Sequence, residues 1–244
     1  KLLAARADPN LCCTYNGHSA LFSAYNSDDS IVRSLLKYGA DPSSKDRHNA
    51  PALMMHIQSD RSDSLLGEML NTPSVKADSS FLNDPISLNG VATGDRLLTV
   101  ATHSNRPNLI KMLIMAGADV NIPNNKGCTP LVVACQFNFV SAAKVLIESG
   151  ANVDQQDCHG EPGLADKMSC VHFAVCSGHE ELLRLLIASG ANLHIANSAG
   201  TTPLEFASHV LQSGNTTIRK GLNTCVALLK EAHLKEEKEK KTKP

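Results

Sequence analysis

Gly127-Cys128-Thr129-Pro130-Leu131-Val132-Val133-Ala134 opens a stretch that closes on Gly150-Ala151-Asn152-Val153-Asp154, 23 residues after its first glycine. Its opening reads as a helix start. The Thr129 hydroxyl can cap, and the fixed φ and missing N–H of Pro130 suit a first helical turn. Its end reads as a helix stop, because a glycine after an apolar run can take the left-handed conformation that terminates a helix. The Asn-Val-Asp that follows carries the chain into an extended arm.

The same phrases recur along the chain. Gly200-Thr201-Thr202-Pro203-Leu204-Glu205-Phe206-Ala207 repeats the opening, and worn copies stand at residues 17–24 and 94–101. The closing phrase recurs as Ala7-Asp8-Pro9-Asn10, Gly39-Ala40-Asp41-Pro42, Gly117-Ala118-Asp119-Val120-Asn121 and Gly190-Ala191-Asn192-Leu193-His194. Its alanines lie 33, 78, 33 and 40 residues apart, which is a 33-residue period with 12 extra residues in one interval and seven in another. Gly94 and Gly117 keep the same 23-residue separation as Gly127 and Gly150. Leu109-Ile110-Lys111-Met112-Leu113-Ile114 and Leu182-Leu183-Arg184-Leu185-Leu186-Ile187 carry apolar residues at helical spacing ahead of Gly117 and Gly190.

These residues resemble the ankyrin-repeat family, whose 33-residue unit is a β-turn followed by two antiparallel helices. The resemblance implies an all-α solenoid of about six units, with hairpin fingers along one edge and the first helix of each unit lining a concave face. One domain over residues 1–232 is expected. Residues 1–10 would end a unit whose front lies upstream, followed by units at 11–43, 44–77, 78–121, 122–154, 155–194 and 195–232, and a charged tail at 233–244. The unit at 44–77 looks eroded: Asn49 replaces the glycine, Pro51-Ala52 replaces Thr-Pro, and His56 falls where the family places alanine. Its helix pair is the least secure. The unit at 78–121 carries the 12-residue excess, expected within 71–93, and seven extra residues are expected at 161–167. The tail can extend the last helix through Glu236–Lys240 and Glu237–Lys241 pairs.

Composition bounds the function. The 244 residues are 42% hydrophobic, with 23 Lys and Arg against 24 Asp and Glu, so the chain lacks the basic footprint of a nucleic-acid or anionic-membrane binder. No apolar run approaches the roughly 18 residues needed to cross a bilayer. Residue 1 is lysine, not the start of a secretory signal, and the chain reads as a soluble piece of something longer. Eight scattered cysteines with no C-x-x-C spacing read as free thiols in a reducing compartment, the cytoplasm or the nucleus.

Catalytic and metal chemistry find little support. His172, in Ser169-Cys170-Val171-His172, resembles the structural histidine that ties neighbouring turns, and His179 the residue that links a unit's two helices. Cys158 and His159 with Cys170 and His172 would bind zinc only if the inserted loop folded back. Phosphate-loop, nucleophile-elbow and H-E-x-x-H signatures are absent. No catalytic residue, metal or cofactor is assigned.

The resemblance points instead to a protein or peptide partner. The partner-facing tips it implies are Arg47 with His48, Asn125 with Lys126, Cys158 with His159, and Ser198 with Ala199. Along the concave face it implies Asn26, Gln58, His103 with Ser104, Gln136 with Phe137, Cys176 and His209. Phe137 stands out as an aromatic anchor in a chain only 4% aromatic. These positions carry amides and histidines more than charge, which suits recognition by shape and hydrogen bonding. The resemblance also places Asn121 at the hairpin asparagine that is hydroxylated in some members. A scaffold or adaptor module is expected, or a regulatory array attached to another module.

Overall fold

The computed structural model describes residues 7–59, 61–88, 91–157, 167–212 and 219–242. They form two compact units, Lys1–Asn125 and Lys126–Pro244. In each, helices follow one another in antiparallel pairs.

The first unit begins with the four-residue α1 (Ala20–Ser23), continued by a 3-10 turn over Ala24–Asn26, and then α2 (Asp29–Lys37). The pair α3 (Ala52–Gln58) and α4 (Asp63–Leu70) follows, then the short α5 (Pro73–Ala77) and a 3-10 turn over Ser80–Asn83. Two-residue antiparallel strands, β1 (Ser87–Leu88) and β2 (Val91–Ala92), pair Ser87 with Ala92 and Leu88 with Val91. The pair α6 (Leu97–His103) and α7 (Pro107–Met115) completes the unit. The first helices α1, α3 and α6 pack side by side in one layer, and the second helices α2, α4 and α7 in another. Leu21, Leu53, Leu65, Leu97, Leu109 and Ile110 are wholly buried between the layers, each contributing about 1.5–3 kcal/mol by leaving water.

The second unit repeats the arrangement. Its pairs are α8 (Pro130–Gln136) with α9 (Val140–Glu148), α10 (Cys170–Cys176) with α11 (Glu180–Ala188), and α12 (Pro203–Gln212) with α13 (Arg219–Thr242). The helix α13 runs through most of the charged tail. Lys235 pairs with Glu231 one turn back at 3.1 Å, and the Glu236 carboxylate lies 3.1 Å from His194. The tail pairs expected with Lys240 and Lys241 involve side chains outside the described residues. So do residues 161–166 of the expected insertion; Lys167 follows with a φ of 60°.

The eroded repeat is sounder than its sequence suggests. Ser19, Thr129 and Ser169 cap α1, α8 and α10, whereas α3 and α6 start without a capping side chain. Both form because Leu53, Ile57, Leu97 and Leu98 are buried, and tertiary packing outweighs a missing cap. Asn49 adopts a φ of 65°, close to the 71° of Gly127 at the equivalent corner. Asparagine tolerates the left-handed region better than most residues, so the turn survives the exchange. His56 is wholly buried and donates from Nε2 to the Leu21 carbonyl at 2.9 Å. Both helices of the expected unit at 44–77 thus form.

The 12-residue excess is divided among three places. Asn10 bridges Gly39 O (2.9 Å) and Asp41 N (2.8 Å) of the next finger, and Asn83 bridges Gly117 O (3.1 Å) and Asp119 N (2.7 Å) in the same way. Asn83 thus corresponds to Asn121 of the following repeat. Comparing Met69–Asn83 with Leu113–Asn121 places six extra residues around α5. Comparing Asn83–Gly94 with Asn121–Gly127 places five at the β1–β2 hairpin. The last lies in the α3–α4 linker, outside 71–93, where 58–63 is one residue longer than 103–107.

Candidate partner-binding surface

The first helices end in register. Gln58, His103, Gln136 and Cys176 are the final residues of α3, α6, α8 and α10, and His209 occupies the same step of α12, six residues after its proline. Asn26 ends the 3-10 continuation of α1. Asn26, Gln58, His103 and His209 are exposed, as is Ser104. Buried residues directly precede several of them, Ile57 before Gln58, Thr102 before His103 and Cys135 before Gln136, because the helix turns from core to surface within one step.

Not every predicted position is equally available. Gln136 is half-buried and donates from Nε2 to Cys128 Sγ at 3.8 Å. Cys176 is half-buried, its thiol donates to Phe173 O at 3.3 Å, and burial pushes its pKa up. Phe137 is 54% exposed and stacks on Phe139 with centroids 5.6 Å apart, so that an aromatic pair, not a single ring, marks the α8–α9 linker. Asn138 between them takes a φ of 56°, in the left-handed region that Asn105 (48°) and Gly178 (68°) occupy at the same corner.

The fingers are bound to one another through their main chains. Asp46 Oδ1 accepts from His48 N (2.9 Å) and Ala50 N (2.8 Å), and Asn197 Oδ1 accepts from Ala199 N and Thr201 N, both at 3.0 Å. Arg47 N–H donates to Asn16 O and Asn125 N–H to Thr93 O, each at 3.2 Å, and the Arg47 guanidinium caps Thr14 O. Arg47 and Asn125 therefore join fingers as well as facing outward. His48, Lys126, Ser198 and Ala199 have exposed side chains. Cys158 and His159 lie outside the described residues. Asn121 is exposed, its own N–H donating to Asp119 Oδ1 at 2.8 Å.

His172 is held inside. Its Nε2 donates to Thr201 O at 3.0 Å, which leaves Nδ1 as the acceptor for Ser169 N at 3.3 Å and fixes a neutral tautomer. Burial lowers its pKa and that of His56. Among the described residues no group of three or more His, Cys, Asp or Glu side chains is placed to hold a metal. Among the described residues the seven cysteines are free, and no helix is long and apolar enough to cross a membrane.

Two features escape the sequence reading. Tyr15 stands two residues before Gly17 and is 82% exposed, at the tip position that Arg47 occupies in the next finger. Counting back from Gly17 would have found it. The second is a row of arginines at the linkers. Arg61 donates to Tyr25 O at 3.0 Å and to Asp29 at 2.6 Å, and Arg106 reaches back to Arg61 O and Asp63. Each arginine side chain is only 13% exposed and ties one linker to the one before it. The signal is Arg61 two residues before α4 and Arg106 directly before α7, with Asp63 two residues after Arg61.

Sequence families described as ankyrin repeats match residues 16–47, 53–157 and 166–216. The B-cell lymphoma 3 protein homolog of Mus musculus is 30% identical over 179 residues, 72% of this chain and 36% of its own length. A putative ankyrin repeat protein of fowlpox virus, FPV031, is 28% identical over 137 residues, 52% of this chain and 38% of its own length. The ankyrin and KH domain-containing protein mask-1 of Caenorhabditis elegans is 32% identical over 97 residues, 40% of this chain and 3% of that protein. The chain thus spans well under half the length of these relatives. The crystal structure of the Bcl-3 ankyrin repeat domain superposes with a TM-score of 0.62 at 25% identity, covering 83% of both chains. The human ASB11 ankyrin repeat domain does so with a TM-score of 0.63 at 23% identity, covering 92% of this chain and 90% of that one, a likeness of fold. Paired helices on a 33-residue pitch, fingers stitched by asparagine and family matches along most of the chain agree: this protein belongs to the ankyrin-repeat family.

Proposed function

We propose that the chain is a protein-interaction module of scaffold or adaptor type, with no catalytic role. Within each compact unit it would bind a protein or peptide through the residues ending its first helices and through its fingertips. The observation that carries this reading is the register of Gln58 with His103, and of Gln136 with Cys176 and His209: chemically different side chains repeat at one step above a buried layer. Phe137, backed by Phe139, supplies an apolar anchor of the kind that dominates interface energetics. Tyr15 adds a second aromatic at a fingertip.

The test uses the full chain as affinity bait, beside a variant with Gln136, Phe137 and His209 changed to Ala. Retention of the circular dichroism spectrum and melting temperature shows that the variant folds. Partners captured by the parent and lost by the variant support the reading; an unchanged set of partners removes that row from the interface.

A second reading follows from the lengths of the relatives. The match to mask-1 covers 3% of a protein whose name includes a KH domain, so the repeats could serve to regulate a module elsewhere on a longer polypeptide. The sequence of the complete transcript decides between the two.

A further inference from the structure

The second helices carry a departure from the repeat that the row of first-helix ends does not explain. At the fifth position of these helices the chain places a long cation four times: Arg33 in α2, Lys111 in α7, Lys144 in α9 and Arg184 in α11. In α4 the position is Gly67. The inserted α5 packs beside α4, and a cavity of about 370 Å³ opens between α4, α5 and α7. Leu70, Val75 and Met112 line it, and a Cβ on Gly67 would stand 3.3 Å from Met112 Sδ. Any longer side chain would occupy the space.

The rim is as unusual as the floor. Met115 lines the cavity and is 79% exposed, where the equivalent positions carry Lys37, Asn71, Glu148 and Ala188. Thioether side chains adapt to varied apolar partners and are overused at binding surfaces. Among the described residues, Lys76 is the only charged one lining the cavity. The nearby Glu68 is paired with Arg33 at 3.1 Å, and Asp78 accepts from Ser80 N at 2.9 Å. Among the described residues neither carboxylate forms an ion pair with Lys76.

We propose that this cavity docks an acidic peptide segment of a partner protein, seating one large apolar side chain between Met112 and Met115 and setting a carboxylate against Lys76. A small-molecule pocket buries most of its ligand's surface. A wall whose outermost residue is 79% exposed instead suits a side chain that enters from a segment lying on the surface. The site lies on the second-helix layer and does not depend on the surface proposed above.

The test is a titration of the full chain, labelled with ¹³C at its methionine methyls, with a 12-residue peptide of leucine and glutamate, followed by the same peptide with lysine for glutamate. The Met112 and Met115 resonances are expected to shift and saturate with the glutamate peptide, with affinity on the order of tenfold or more weaker for the lysine peptide. Lys76→Glu is expected to reverse that preference, and Gly67→Leu to abolish the shifts. Met115→Lys alters an exposed side chain that the core does not need, so it tests the site even if Gly67→Leu fails to fold. No shift at Met112 and Met115, equal response to both peptides, undiminished binding by Met115→Lys, or saturation by decanoate but not by the glutamate peptide would each overturn the proposal.

Discussion

His56 shows how one buried imidazole sets a pH limit on the fold. Its Nε2–H is engaged by Leu21 O, and its Nδ1 is buried with no hydrogen-bond partner among the described residues. A proton there would be an unsatisfied buried charge, and burial accordingly lowers the pKa from its ordinary 6.5. The unfolded chain takes up that proton as the pH falls through 6.5, while the folded chain resists until lower pH, so protons favour unfolding. His172 has the same sign. Stability should be full above pH 6.5 and decline below it. Urea midpoints measured between pH 8 and pH 5 check this, and His56→Gln should flatten the acid limb while lowering stability at pH 8 by about 1–3 kcal/mol. A midpoint indifferent to pH over that range would contradict the account.

The first turn of α13 meets the α10–α11 linker closely. Gly178, with a φ of 68°, lies against the first turn of α13, and a Cβ on Gly221 would stand 2.5 Å from Gly178 O. The atom that this Cβ would meet belongs to the backbone, which cannot swing aside. Gly221→Ala should therefore destabilise the second unit by about 1–3 kcal/mol, the usual cost of overpacking, although alanine is the better helix former. Thermal melts of the two proteins measure it, and an unchanged or raised midpoint would show that α13 can shift. The close approach of Gly221 to Gly178 was not legible in the sequence, because it joins residues far apart along the chain. By contrast, Thr129-Pro130 and the glycines at 117 and 150 announced their helix boundaries directly. The excess residues ahead of Gly94 could be counted but not placed, since only the Asn83 hydrogen bonds reveal which residue is equivalent to Asn121.

At the scale of the whole molecule, the cysteines map where water is excluded. Cys12 and Cys13 are exposed, whereas Cys128, Cys135, Cys170 and Cys225 are buried, and burial raises the pKa of Cys225 to about 11. Backbone N–H groups of Asn16 and Tyr15 lower that of Cys13. Brief treatment with iodoacetamide at pH 8 should modify Cys13 first and Cys12 next, with the four buried thiols reacting only in denaturant, because the thiolate is the nucleophile. Peptide mapping checks the order; early labelling of Cys135 or Cys170 would mean that the helix layers open readily. The repeat class was legible because it is written in small residues at fixed intervals. The binding surface was legible only as positions. The linker arginines were missed, because the reach of Arg61 to Ser27 and Asp29 depends on how closely the linkers stack.

The finger stitching has a consequence for change over time. Since Arg47 and Asn125 already lend their amides to the preceding finger, the path of the polypeptide at a tip is held whatever group projects from it. Specificity there can be rewritten by exchanging one residue at a time, with no loop to redesign and no fold to risk.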